Sequence, residues 1–111
     1  RIIRCFYNVH DELGSGFLES VYEKALMIEL ESIGLKANNQ KNLNVSYKNH
    51  AVGEFKADLI VDDKIIIEIK AVTSMTAQHE AQLINYLKAT GIKVGLLVNF
   101  GDKLEFKRRI F

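Results

Sequence analysis

The order of apolar patterns along the 111-residue chain predicts an α/β sandwich with a mixed central sheet, built as helix, helix, three strands, helix, strand, strand. Three observations carry that reading. Two segments near the start repeat apolar residues at helical spacing, and a central stretch alternates or runs apolar over strand lengths. A third helical pattern then separates that stretch from a last pair of apolar segments. The strand after the third helix must cross over to lie parallel to a neighbour, whereas the three strands before it are close enough in sequence to pair antiparallel.

Residues 2 to 12 place Ile2, Ile3, Phe6 and Val9 at helical spacing, with Leu13 next in the series, until Gly14-Ser15-Gly16 breaks the pattern. Ser15 is the expected N-cap of a second helix, whose stripe comprises Phe17, Leu18, Val21, Tyr22, Ala25, Leu26, Leu30 and Ile33, with Gly34 closing it. Residues 43 to 48 alternate, with Leu43, Val45 and Tyr47 on one face, and Lys48-Asn49-His50 turns the chain. Phe55 to Val61 and Ile65 to Val72 then form a hairpin over Asp62-Asp63-Lys64. Thr73-Ser74-Met75-Thr76 offers caps for a helix running to about Thr90, with Gly91 at its end. Lys93 to Asn99 is the short continuous apolar run of a strand covered on both faces, and a last strand spans about 103 to 110.

Composition narrows the function classes. At this length one domain with a core is expected and two would not fit. No apolar run approaches the roughly 20 residues that cross a bilayer, and Arg1-Ile2-Ile3-Arg4-Cys5-Phe6 lacks the pattern of a secretion signal, so a cytoplasmic location is expected. Single Cys5 cannot form an internal disulfide and has the neighbours of a packed helix. Fifteen basic against fourteen acidic residues leave a net charge of +1, too balanced to announce a nucleic-acid binder. Distribution says more: Lys103, Lys107, Arg108 and Arg109 crowd the end of the chain, either as a phosphate-binding patch or as charge guarding an edge strand.

Charge inside the hairpin is the strongest signal. Asp58, Glu68 and Lys70 interrupt segments otherwise almost wholly apolar, where an unpaired charge is costly. Glu68 and Lys70 share a face because strand side chains alternate. Asp58 comes opposite Glu68 only if the hairpin loop holds three residues, pairing Val61 with Ile65. A two-residue turn would set Asp58 opposite Ile67 and disperse the group. Two converging carboxylates suit Mg²⁺ or Mn²⁺, with the Ile69 carbonyl as a further ligand, and Lys70 adds a cation that positions water or offsets charge on a phosphate. Taken alone, a Glu-x-Lys on a half-exposed strand is a weak signal and reads first as a structural ion pair.

Two helical features accompany this group. Glu19 stands in the first turn of the second helix, where it complements the helix dipole, and its neighbours Phe17, Leu18, Val21 and Tyr22 predict a partly buried side. Glu23 reads as a dipole partner only. In the third helix His79, Gln82 and Tyr86 form a polar ridge beside Leu83, Ile84 and Leu87. Such a ridge either faces water or uses amide and phenol to hold a lysine, phosphate or base. His10, His50 and His79 make no zinc pattern.

Together these residues resemble the PD-(D/E)xK nuclease superfamily, and more closely its small GxxExxY members, whose motif stands intact as Gly16-Phe17-Leu18-Glu19-Ser20-Val21-Tyr22. The resemblance runs on through Ala57-Asp58-Leu59-Ile60-Val61, Ile67-Glu68-Ile69-Lys70-Ala71-Val72, His79 to Leu87 and Gly95 to Gly101, nearly the whole chain. It implies a restriction-endonuclease-like αβββαβ core, with Asp58 and Glu68 as metal ligands, Lys70 as the catalytic lysine and Glu19 as an accessory acid near the metal. Gln82 and Tyr86 match the Q-x-x-x-Y element of exonuclease-like branches, and Ala57 replaces the proline of the superfamily's name.

The expected function is metal-dependent hydrolysis of phosphodiester bonds in nucleic acid, with DNA as substrate, Mg²⁺ or Mn²⁺ as cofactor and no membrane. Glu19, Asp58, Glu68, Lys70 and Gln82 are the expected catalytic set, with Asp58, Glu68, Ile69 and Glu19 around the metal. Tyr86, Lys107, Arg108 and Arg109 are expected to contact the nucleic acid. A homodimer or a protein partner would enlarge the small surface available for target choice. The rival expectation is a catalytically inactive nucleic-acid-binding or protein-binding module that keeps the same fold.

Overall fold

The computed structural model describes residues 1–111 as three helices and a five-stranded sheet. In chain order these are α1 (Ile2–Leu13), α2 (Glu19–Ser32), β1 (Ala37–Tyr47), β2 (His50–Val61), β3 (Ile65–Lys70), α3 (Ala77–Thr90), β4 (Val94–Phe100) and β5 (Leu104–Ile110). The strands lie side by side in sequence order, and only the β3–β4 pair is parallel, as the α3 crossover requires. The mixed α/β architecture expected from the sequence is therefore the one found.

Two apolar clusters sit on opposite faces of the sheet. On one, Leu59, Val61, Ile67, Ile69, Leu96, Val98 and Phe100 pack against Phe6, Val9, Tyr22, Leu26 and Leu30 of α1 and α2. On the other, Ile60, Ile66 and Leu97 pack against Leu83 and Leu87 of α3. Strand alternation sends each set its own way, so β3 and β4 are buried on both sides. No helix is long and apolar enough to cross a membrane.

Three details of the expected elements are corrected. Ser15 does not cap α2, which begins at Glu19 with Leu18 as its N-cap. The loop before it is instead organised by Tyr22, whose hydroxyl donates to the Gly14 carbonyl at 2.7 Å and accepts from the Phe17 N–H. Phe17, Leu18 and Val21 are consequently exposed, and the buried stripe narrows to Tyr22, Leu26 and Leu30. β1 also starts well before residue 43, because the amide-rich stretch Asn38-Asn39-Gln40 gives no apolar alternation to read yet still pairs with β2. The predicted ends of α3 hold: Thr76 caps it in a capping box with His79, and Gly91 closes it in a left-handed conformation.

The chain after β3 is clamped to β4. The buried Asn99 amide accepts from the Val72 N–H and donates to the Val72 carbonyl, both at 2.9 Å, as a strand neighbour would. That close approach leaves no room for a side chain at Gly101, where a Cβ would stand 2.2 Å from the Val72 carbonyl oxygen. Gly101→Ala should therefore lower unfolding stability by about 2–3 kcal/mol through forced backbone displacement. Urea denaturation with an unchanged midpoint would contradict this.

Candidate metal and nuclease centre

The β2–β3 hairpin takes the wider loop. Val61 pairs with Ile65, Ile60 with Ile66 and Leu59 with Ile67, and Asp62 and Asp63 turn the chain with positive φ. The backbone pairing ends at Leu59 and Ile67, and Asp58 and Glu68 are the next residues on the two strands, where the sheet changes character. Ala57 and Ile60 both join the α3-side cluster, so strict alternation fails around Asp58. Side chains replace the ladder there: the Asp58 N–H donates to Glu68 Oε2 at 3.1 Å, and the Ile69 N–H donates to Asp58 Oδ2 at 2.8 Å. Two carboxylates are thereby fixed at a fork between the strands.

Glu68 is 7% exposed, and its environment shows in its titration. Burial pushes its carboxyl from the ordinary 4.5 up to about 8, and the adjoining Asp58 charge pushes the same way. The Asp58 N–H and the Lys70 charge work against the rise. Lys70 is half-buried, pairs in register with Asn99 on β4 and forms no ion pair within 4 Å.

A cleft of about 290 Å³ opens beside the fork, lined by Glu19, Ser20, Glu23, Gln40, Asp58 and Ile69. Glu19 reaches it from α2 but is exposed rather than partly buried, because the helix starts at this residue and its flanking apolar side chains point outward. Its Oε2 accepts from the Ala71 N–H at 3.1 Å, which ties α2 to the end of β3. Asp58 and Glu68 stand as a pair, and no third His, Cys, Asp or Glu completes a preformed cluster with them.

The remaining candidates surround this centre unevenly. Gln82 donates to the Tyr86 hydroxyl at 2.6 Å, and the Tyr86 ring stacks on Phe55 of β2 with centroids 3.8 Å apart. Burial raises the Tyr86 phenol above its ordinary value, and the Glu68 charge adds to the rise. His79 is occupied by the capping box. Lys107 and Arg109 both pair with Glu80 of α3, while Arg108 lies with Arg1 around an apolar pocket on the opposite face of the sheet. The three basic residues thus do not share one surface.

Residues 1–109 match the family model of the PD-(D/E)XK nuclease superfamily. The chain belongs to this superfamily. Two solved structures share the superfamily fold with it: SSO0001, at 22% identity and a TM-score of 0.65, and an alkaline exonuclease (LHK-Exo) from Laribacter hongkongensis, at 14% identity and a TM-score of 0.53. The alignments cover 83% and 95% of this chain, which spans half the length of the first protein and 75% of the second. Among curated proteins none matches the chain in sequence. Nucleases of the PD-(D/E)XK superfamily generally use divalent metal ions. The donor set here fits one: two adjoining hard-oxygen ligands, one buried, would repel each other when both are ionised, and a divalent cation would offset that repulsion.

Sequence reasoning missed Glu23, Gln40 and Asn99. Glu23 follows Glu19 by four residues, one helical turn, and that spacing alone would have placed both on the same flank. Asn99 interrupts an apolar strand as Asp58 and Glu68 do. Gln40 carried no periodic signal.

Between the unfolded-state value near 4.5 and the folded value of about 8 for Glu68, the folded protein holds a proton that the unfolded chain has released. Metal-free stability therefore falls as pH rises through that window. Glu68→Gln removes the titration, so the variant should lose less Tm than wild type between about pH 5 and about pH 9, and should exceed it at the alkaline end. Parallel melting curves across that range would contradict the assignment.

Proposed function

We propose that this chain is a metal-dependent nuclease of the GxxExxY type that hydrolyses phosphodiester bonds of DNA inside the cell. The observation that carries the reading is the fork at which Asp58 and Glu68 exchange hydrogen bonds with each other's strands, presenting two carboxylates beside a half-buried lysine. Asp58 and Glu68 would hold Mg²⁺ or Mn²⁺, with the Ile69 carbonyl and Glu19 as further oxygen donors on the cleft wall. The bound ion supplies Lewis acidity to the scissile phosphate and its attacking water.

The chain's own residues do the rest. Lys70 extends from the same strand as Glu68, where its ammonium orients the water and offsets charge gathering on the phosphoryl oxygens. Glu19 holds the segment after β3 through the Ala71 N–H, which keeps Lys70 aligned. Gln82 and Tyr86, joined to each other and braced on Phe55, border the path of the strand being cut. Lys107 and Arg109 offer outer phosphate contacts beside Glu80, and Arg108 does so on the far face. A second copy of the chain or a protein partner supplies further surface for target choice.

Single-stranded and double-stranded DNA and RNA incubated with Mg²⁺ or Mn²⁺ test the reading. DNA should be cleaved only with metal, and Asp58→Ala and Lys70→Met should each lose at least about a hundredfold in rate, with Lys70→Met melting like wild type. No metal-dependent cleavage of any substrate, or an unimpaired Lys70→Met, would refute it.

A further inference from the structure

A row of polar groups crosses the sheet from α2 to β3, and its middle member is the conformational exception of β1. Gln40 is the only non-glycine residue within a strand that has a left-handed backbone (φ 51°), the other four such residues being in the two hairpin turns. The left-handed region favours Gly and Asn over a long side chain like Gln. Strain of this kind persists where the surroundings over-determine it. Asn39 and Lys41 pair with Leu59 and Ala57, so Gln40 stands across from Asp58.

From that position one amide nitrogen serves two acids. Gln40 Nε2 donates to Glu23 Oε1 at 2.6 Å and, as the weaker contact, to Asp58 Oδ1 at 3.5 Å. Two acceptors fix which way the amide points, since its oxygen would be repelled by both carboxylates. Glu23 is held in turn: it is 6% exposed, and its second oxygen accepts from Asn39 Nδ2 at 3.1 Å. Asp58 already accepts from the Ile69 N–H through Oδ2. Each oxygen of Asp58 therefore meets its own donor, one from the backbone of β3 and one from Gln40.

We propose that Gln40, braced by buried Glu23, is a positioning residue that sets the orientation of the Asp58 carboxylate toward a divalent cation. The inference rests on the reading of Asp58 as a metal ligand. A merely stabilising role does not account for it, because Gln40 is exposed and occupies a backbone conformation that a smaller residue would adopt more easily.

Gln40→Gly and Gln40→Asn separate the two roles. Both ease the backbone and neither can span Glu23 and Asp58, so the metal-free Tm should hold or rise while Mn²⁺ affinity, measured by calorimetry, falls about tenfold. Glu23→Gln, which keeps the volume but removes the charge that braces the amide, should weaken Mn²⁺ binding in the same direction. In an Asp58→Ala background, Gln40→Gly should cause no further loss. Unchanged Mn²⁺ affinity in the Gln40 and Glu23 variants would overturn the positioning role while leaving the metal-site reading intact. A wild-type protein that binds no Mn²⁺ would overturn both.

Discussion

Two hydrogen bonds at the end of the β2–β3 ladder hold the candidate centre together: Asp58 N–H to Glu68, and Ile69 N–H to Asp58. At this rung the carboxylates do the work that carbonyl oxygens do along the rest of the hairpin, so one oxygen of each acid is fixed by a backbone N–H. Buried backbone donors and buried carboxylates each require a partner, and the fork satisfies both at once. It offsets neither the burial of Glu68 nor the repulsion between the two acids, and these, burial first, push the Glu68 carboxyl up to about 8. Fold and chemistry meet in that unresolved charge.

The surrounding elements keep the fork in register. Tyr22 is fully buried, stacks on Phe100 with centroids 4.6 Å apart, and through its hydroxyl shapes the loop that delivers Glu19. Such a stack contributes about 1 kcal/mol beyond the area it buries. Asn99 and Gly101 let the segment after β3 lie against β4, and Glu19 ties that same segment to α2. The motif Gly16–Glu19–Tyr22 is thus first of all a device for seating a helix against the end of a strand, and any catalytic part played by Glu19 is built on that seat.

Much of this was legible in the sequence because burial and periodicity leave marks. The parallel β3–β4 pair followed from one intervening helix, and the three-residue loop followed from asking what register would bring Asp58 to Glu68. The start of α2 was misread because a serine after a glycine looks like a cap, whereas a tyrosine hydroxyl arriving from the first turn of the helix gives no local signal. Glu19 was expected to be partly buried and is exposed, since apolar neighbours in sequence need not share its face once the helix begins at Glu19 itself. Gln40 was invisible for a different reason: a single left-handed residue inside a strand is a tertiary decision, made by Glu23 and Asp58 rather than by its neighbours in sequence.

The location of a single Mn²⁺ ion is the most direct measurement of the account. Anomalous scattering from a crystal soaked in Mn²⁺ should place the ion between the Asp58 and Glu68 carboxylates, on the cleft side shared with Glu19 and Ile69. An ion bound elsewhere with those two carboxylates unliganded would contradict the central claim, and so would a fork whose acids diverge once metal is present.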